Sequence, residues 1–122
     1  MRSATLDHSH FETLRSNMPA VVFAMMLKSL ADDCPTQIDQ VCTCTAAGDL
    51  VGAKQATRQL RDFAENFGGV RGAALIKALE VACDLGQEAM ARALADDLKS
   101  HVRTIWREIM AKLAGDPSPV AS

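Results

Sequence analysis

The chain has 122 residues, enough for one domain with a buried core but not for two. Its 13 Lys and Arg against 15 Asp and Glu give a net charge of −2 with the signs mixed, which argues against nucleic acid or an anionic membrane as the main partner. Hydrophobic residues make up 48% but aromatics only 4%, so Ala, Leu, Met and Val must carry the core, a composition that suits helices and not strands.

No apolar run approaches the roughly 20 residues of a membrane span. Met1 to Thr5 lacks the hydrophobic segment of a signal peptide. A cytoplasmic location is expected, and with it reduced thiols at Cys34, Cys42, Cys44 and Cys83.

In chain order, residues 1 to 5 read as a frayed lead. Asp7 is placed to cap a short helix that contains Phe11 and Leu14 and ends near Ser16-Asn17. Pro19 suits the first turn of the next helix, where its missing N–H costs nothing. Phe23, Leu27, Leu30, Cys34, Ile38, Val41 and Thr45 then hold one helical phase up to Ala47. The stripe keeps its register across Pro35, which predicts one long helix kinked there.

Gly48 supplies a turn and Asp49 caps a third helix over about residues 50 to 67. Gly68-Gly69 stops that helix as a left-handed C-terminal glycine does. Residues 70 to 84 form a fourth helix with Leu75, Ile76, Leu79 and Cys83 inward. Gly86 breaks the chain again. The last helix runs from about residue 87 to 113 on a stripe of Met90, Leu94, Leu98, Val102, Ile105, Ile109 and Leu113. Four long helices joined by short turns predict an all-α, up-down four-helix bundle with a short extra N-terminal helix across one end. The domain is expected over residues 1–113, with a flexible tail over 114–122.

Residues 47 to 72 carry the functional signal. On the third helix Ala56, Leu60, Phe63 and Phe67 share a narrow apolar stripe. Lys54, Arg58, Asp62 and Glu65 occupy the opposite pole, with Arg61 beside them. Leu60, Arg61, Ala64, Asn66 and Phe67-Gly68, preceded by Ala47-Gly48-Asp49 and followed by Leu79-Glu80, resemble the signature of the histidine phosphotransfer (HPt) family. That signature reads Ala-His-x-Leu-Lys-Gly-(Ser/Ala)-Ala-x-(Asn/Ser)-Leu-Gly, and the resemblance spans roughly residues 6 to 113. Two positions depart from it. Arg58 stands where the phosphoacceptor His belongs, and Asp62 where the family's Gly lets a partner approach. Beyond the signature, Gly72 replaces an apolar residue usual in the family, which implies thinner packing there.

The resemblance implies an HPt-like bundle that meets the receiver domain of a response regulator, or a hybrid histidine kinase, through the outer faces of its second and third helices. It implies Lys54, Arg58, Arg61, Asp62 and Glu65 as binding groups and no catalytic residue. Arginine stays protonated and is not the nucleophile that phosphotransfer needs. His8, His10 and His101 lack the adjacent Lys and Gly of the motif, so a relocated phosphoacceptor is a minority reading. A plain solvated role for Arg58, paired to Asp62 at i+4, is worth a few tenths of a kcal/mol.

Cys42-Thr43-Cys44 and His8-Ser9-His10 are poor metal sites, because a Cys-x-Cys on a helix splays its thiols apart. No metal or other cofactor is expected. Two readings therefore compete. The first is a phosphoacceptor-less phosphorelay module, expected as a monomer. The second is a helical scaffold that pairs with another helical protein or with itself. An exposed apolar patch flanking Arg58 favours the first, and one elsewhere favours the second.

Overall fold

The computed structural model describes residue 6 and residues 8–114. The expected frayed lead, the Asp7 cap and nearly all of the expected tail lie outside the described residues. The described chain is all-helical: α1 (His8–Asn17), α2 (Ala20–Ala46), α3 (Leu50–Gln59), α4 (Arg61–Phe67), α5 (Gly69–Asp84) and α6 (Glu88–Leu113). No described helix is long and apolar enough to cross a membrane.

Helix ends follow their punctuating residues. Pro35 lies inside α2, and the stripe from Phe23 to Thr45 is buried on both sides of it apart from half-buried Leu30. The Asp49 carboxylate accepts the Gly52 N–H at 3.0 Å and caps α3. Gly48, Gly69 and Gly86 take positive φ angles of 76°, 65° and 70°, where a side chain would clash with its own backbone.

The helix expected over residues 50 to 67 is instead two segments. The Thr57 hydroxyl donates to the Ala53 carbonyl at 2.7 Å, and both residues are fully buried. Such back-bonding bends helices. Three residues on, the Leu60 N–H reaches the Thr57 carbonyl at 3.0 Å, so the ladder tightens and α4 restarts at Arg61.

α2 packs on α3, α3 on α5, α5 on α6 and α6 on α2, while α4 packs on α5. α1 rests on α4 and α2. One continuous core runs through all six helices. Its aromatic end links every aromatic side chain in the chain. Phe11 meets Phe23 edge-on at 5.5 Å between ring centroids, and Phe63 stacks on Trp106 at 5.2 Å. Phe67 contacts both Phe11 and Phe63.

The α6 stripe is shorter than its sequence suggests. Met90 and Leu113 stand exposed, and fully buried Ala91 and Ala95 take the inward positions of the first turns. Gly72 is not a thin spot either. His101 of α6 approaches it, with Nε2 3.4 Å from where a Gly72 Cβ would lie. The same Nε2 donates to the Gly68 carbonyl at 3.0 Å. Burial, offset in part by that hydrogen bond, lowers the His101 pKa and keeps the imidazole neutral.

Candidate functional site: the Arg58 cleft

Arg58 sits in the last turn of α3, where the helix dipole favours a cation by a few tenths of a kcal/mol. It is exposed, and among the described residues it forms no ion pair. The expected partner, Asp62, begins a different helical segment beyond the Leu60 break and makes no pair with it. Arg58 lines an open cleft of about 330 Å³ between α3 and α5, together with Val51, Lys54, Gln55, Cys83 and Asp84.

Each flanking cation is tethered to α5. Lys54 Nζ lies 2.6 Å from Asp84 Oδ1, and Arg61 is ion-paired with half-buried Glu80. These two pairs run in opposite order along the two segments, as α5 lies antiparallel to the α3–α4 segment. They also divide the charged face. Lys54 and Arg58 share the cleft with Asp84, whereas Arg61 and Glu65 line a second cleft of about 350 Å³ with Ala73, Lys77 and Glu80. Asp62 is exposed and lines neither. The structure thus brings two of the five candidate residues together and two others separately, and leaves Asp62 on its own.

Chemically the Arg58 cleft offers an exposed guanidinium, an ammonium held by a carboxylate, and a thiol. Burial first, then the charge of Asp84, push the Cys83 thiol above its ordinary pKa, so it stays protonated and is a poor nucleophile. The described histidines lie elsewhere. His8 is exposed on α1, His101 is buried against Gly68, and His10 Nε2 donates to Asn66 Oδ1 at 3.0 Å. His10 is remote from the motif in sequence, yet α1 carries it to one of the motif's positions, one turn along α4 from Asp62. Asn66 also donates to the Asp62 carbonyl at 2.9 Å, so its amide is engaged within the fold on both sides.

Family models, curated proteins and solved structures were compared with the chain, and none matches it.

Sequence reasoning missed Val51 and Asp84, and it named Glu80 without its pairing to Arg61. Val51 is 74% exposed and precedes Arg58 by seven residues on the same face, an unsatisfied apolar neighbour at the cleft. Its signal is its spacing from Lys54 and Arg58. Glu80 and Asp84 are one helical turn apart, as a ladder facing Arg61 and Lys54 on an antiparallel helix must be. All four cysteines are free, and no three described His, Cys, Asp or Glu residues gather as metal ligands.

Proposed function

We propose that the chain is an up-down four-helix bundle of the HPt kind that docks a receiver or histidine kinase domain at Arg58 without accepting phosphate. What carries this reading is Arg58 itself. It is an exposed guanidinium at the motif's acceptor position, unpaired among the described residues, beside exposed Val51 and between cations already tethered to α5. Receiver pockets in phosphorelays are lined by carboxylates, which a guanidinium binds well and cannot relieve of phosphate by nucleophilic attack. Holding a receiver in one state, or competing with active phosphotransfer proteins, follows from such docking.

The test is capture of receiver domains from the source cell on immobilised protein, followed by titration of whichever receiver is retained. Arg58→Glu is expected to weaken binding by about tenfold or more, as loss and reversal of an interfacial charge does. Arg103→Glu, on α6, is expected to leave it unchanged. Lys112 would be a poor control, since its ammonium lies 3.0 Å from Glu12 and over the Phe11 ring. Receiver binding that survives Arg58→Glu, or acid-labile phosphate on His8, His10 or His101, would overturn the reading.

A further inference from the structure

A large apolar opening lies away from Arg58. Two adjoining cavities of about 690 and 550 Å³ share Ala31, Trp106 and Met110, and together they form a trough between α2 and α6. None of their lining residues belongs to the Arg58 cleft. Along α6 the trough runs from Lys99 to Leu113, which at 1.5 Å per residue is about 21 Å, or four helical turns. It stays open because α2 contributes small residues, Ala24 and Ala31, where larger side chains would close the seam. Buried Leu27, Cys34 and Val102 form the floor. The Cys34 thiol, raised to about 11 mainly by burial, is inert there. The Trp106 indole N–H faces that thiol, yet it is buried without a hydrogen-bond partner among the described residues.

The rim carries the opposite character. Among the described residues, Arg15, Lys28, Lys99, Arg103 and Arg107 line it against a single carboxylate, Asp39, in a chain whose net charge is −2. Lys28 has Asp32 at 3.2 Å, while Lys99 has Asp39 and Arg15 has Glu12 only at 4.0 Å. Arg103 and Arg107 are exposed, form no ion pair among the described residues, and stand one turn apart.

We propose that this trough docks an acidic amphipathic helix of a partner protein. Apolar residues at i, i+3, i+4 and i+7 would fill the floor, as in other helix-in-groove complexes. Carboxylates one turn apart on the partner would meet Arg103 and Arg107, which favours an acidic helix over a neutral or basic one. Exposed Met110, flexible and polarizable, lies where the two cavities meet and can adapt to either side of the ligand. This docking is independent of a receiver at Arg58.

The probe is a fluorescein-labelled, end-capped helix of about 16 residues with leucines at i, i+3, i+4 and i+7 and glutamates flanking them, matched to the trough's length. A companion peptide carries lysine at each glutamate. Anisotropy should show saturable binding of the acidic peptide and at least about tenfold weaker binding of the basic one. Emission of Trp106, the chain's one tryptophan, should shift in step. Arg103→Glu with Arg107→Glu should invert the preference. Ala31→Phe, which fills the centre of the trough from an exposed helical position, should abolish binding of both while helical circular dichroism is retained. Arg58→Glu should leave peptide binding unchanged, and the doubly charge-reversed protein should still capture receivers.

Absence of acidic-peptide binding would overturn the proposal. So would equal binding of the two peptides, or binding indifferent to Ala31→Phe. A wild-type dimer that Ala31→Phe dissociates would also overturn it, by making the occupant a second copy of the chain.

Discussion

Gly68→Ala is expected to destabilise the protein through packing alone. At Gly68 φ is −82°, an ordinary right-handed value, so alanine's own backbone preference is not offended. A Cβ there would lie 2.7 Å from the Ala64 carbonyl oxygen, 3.1 Å from the Ala64 Cα and 3.2 Å from the Gly72 Cα. All three are backbone atoms, so no side chain can rotate away and α4 must shift against α5. Overpacking of this kind costs about 1 to 3 kcal/mol. Straining the His101 bond to the Gly68 carbonyl adds about 1 kcal/mol, and the better helix propensity of Ala returns about as much. The net expectation is a loss of about 2 kcal/mol, or roughly 1 M in urea midpoint for a slope of about 2 kcal/mol/M.

Gly86 supplies the contrast. Its φ is +70° and a Cβ would meet no atom of the described residues within 4 Å, so Gly86→Ala costs only the left-handed strain of about 1 to 2 kcal/mol. Gly86→Asn should recover much of that loss, because Asn tolerates this conformation, whereas Gly68→Asn should be no better than Gly68→Ala. Urea unfolding followed at the helical dichroism band measures all four variants. Gly68→Ala within about 0.5 kcal/mol of wild type, the spread of unremarkable surface changes, would refute the close α4–α5 junction.

Other outcomes follow from single sites. The buried His101 imidazole has a pKa below its ordinary 6.5, so the unfolded chain takes up the proton more readily. Its stabilisation is therefore complete above pH 6.5 and is lost as pH falls below it, and His101→Leu should flatten that part of the urea-midpoint profile. Asp84→Asn should change stability by less than about 1 kcal/mol, because the Lys54–Asp84 pair is half exposed, yet should free Lys54 and alter the salt dependence of any ligand at the Arg58 cleft. Arg58→His should accept phosphate poorly from a labelled receiver, and Arg58→His with Asp62→Gly appreciably faster. A folded double variant no faster than the single one would show that Asp62 is no obstacle. Chelator and reductant should leave the thermal unfolding curve in place, and a large loss of helix with either would reveal a metal or disulfide contribution.

Much of the fold was legible because local rules and the core agree. Gly48, Gly69 and Gly86 end helices where their spacing against the apolar stripes says they must, and Asp49 caps α3 as expected. Pro35 was readable as interior because the stripe passes through it in phase. The Leu60 break was not legible, since it depends on the Thr57 hydroxyl choosing a buried carbonyl that the intact helical ladder also uses. For the same reason a wheel drawn over residues 50 to 67 overstated the unity of the charged face. The partners of Lys54 and Arg61 lie on another helix, 30 and 19 residues on, a relation that periodicity within one helix cannot show. His101 looked like the flank of a stripe because its acceptor is a backbone carbonyl, which carries no side-chain signature.

The order of helix contacts also bears on how the chain folds. α2 and α3 are joined through the short Gly48 turn and α5 and α6 through the Gly86 turn, so each hairpin closes a small loop at little entropic cost. The α2–α6 seam is different, since it brings Ala31 to Trp106 across most of the sequence. Local hairpins form early and a long-range closure comes late. Substitutions on the floor of the trough, such as Val102→Ala, should then speed unfolding and leave the folding rate almost unchanged. The helix pair that leaves the trough open is thus also the one whose parting is expected to set the lifetime of the folded chain, which unfolding rates of such variants measure.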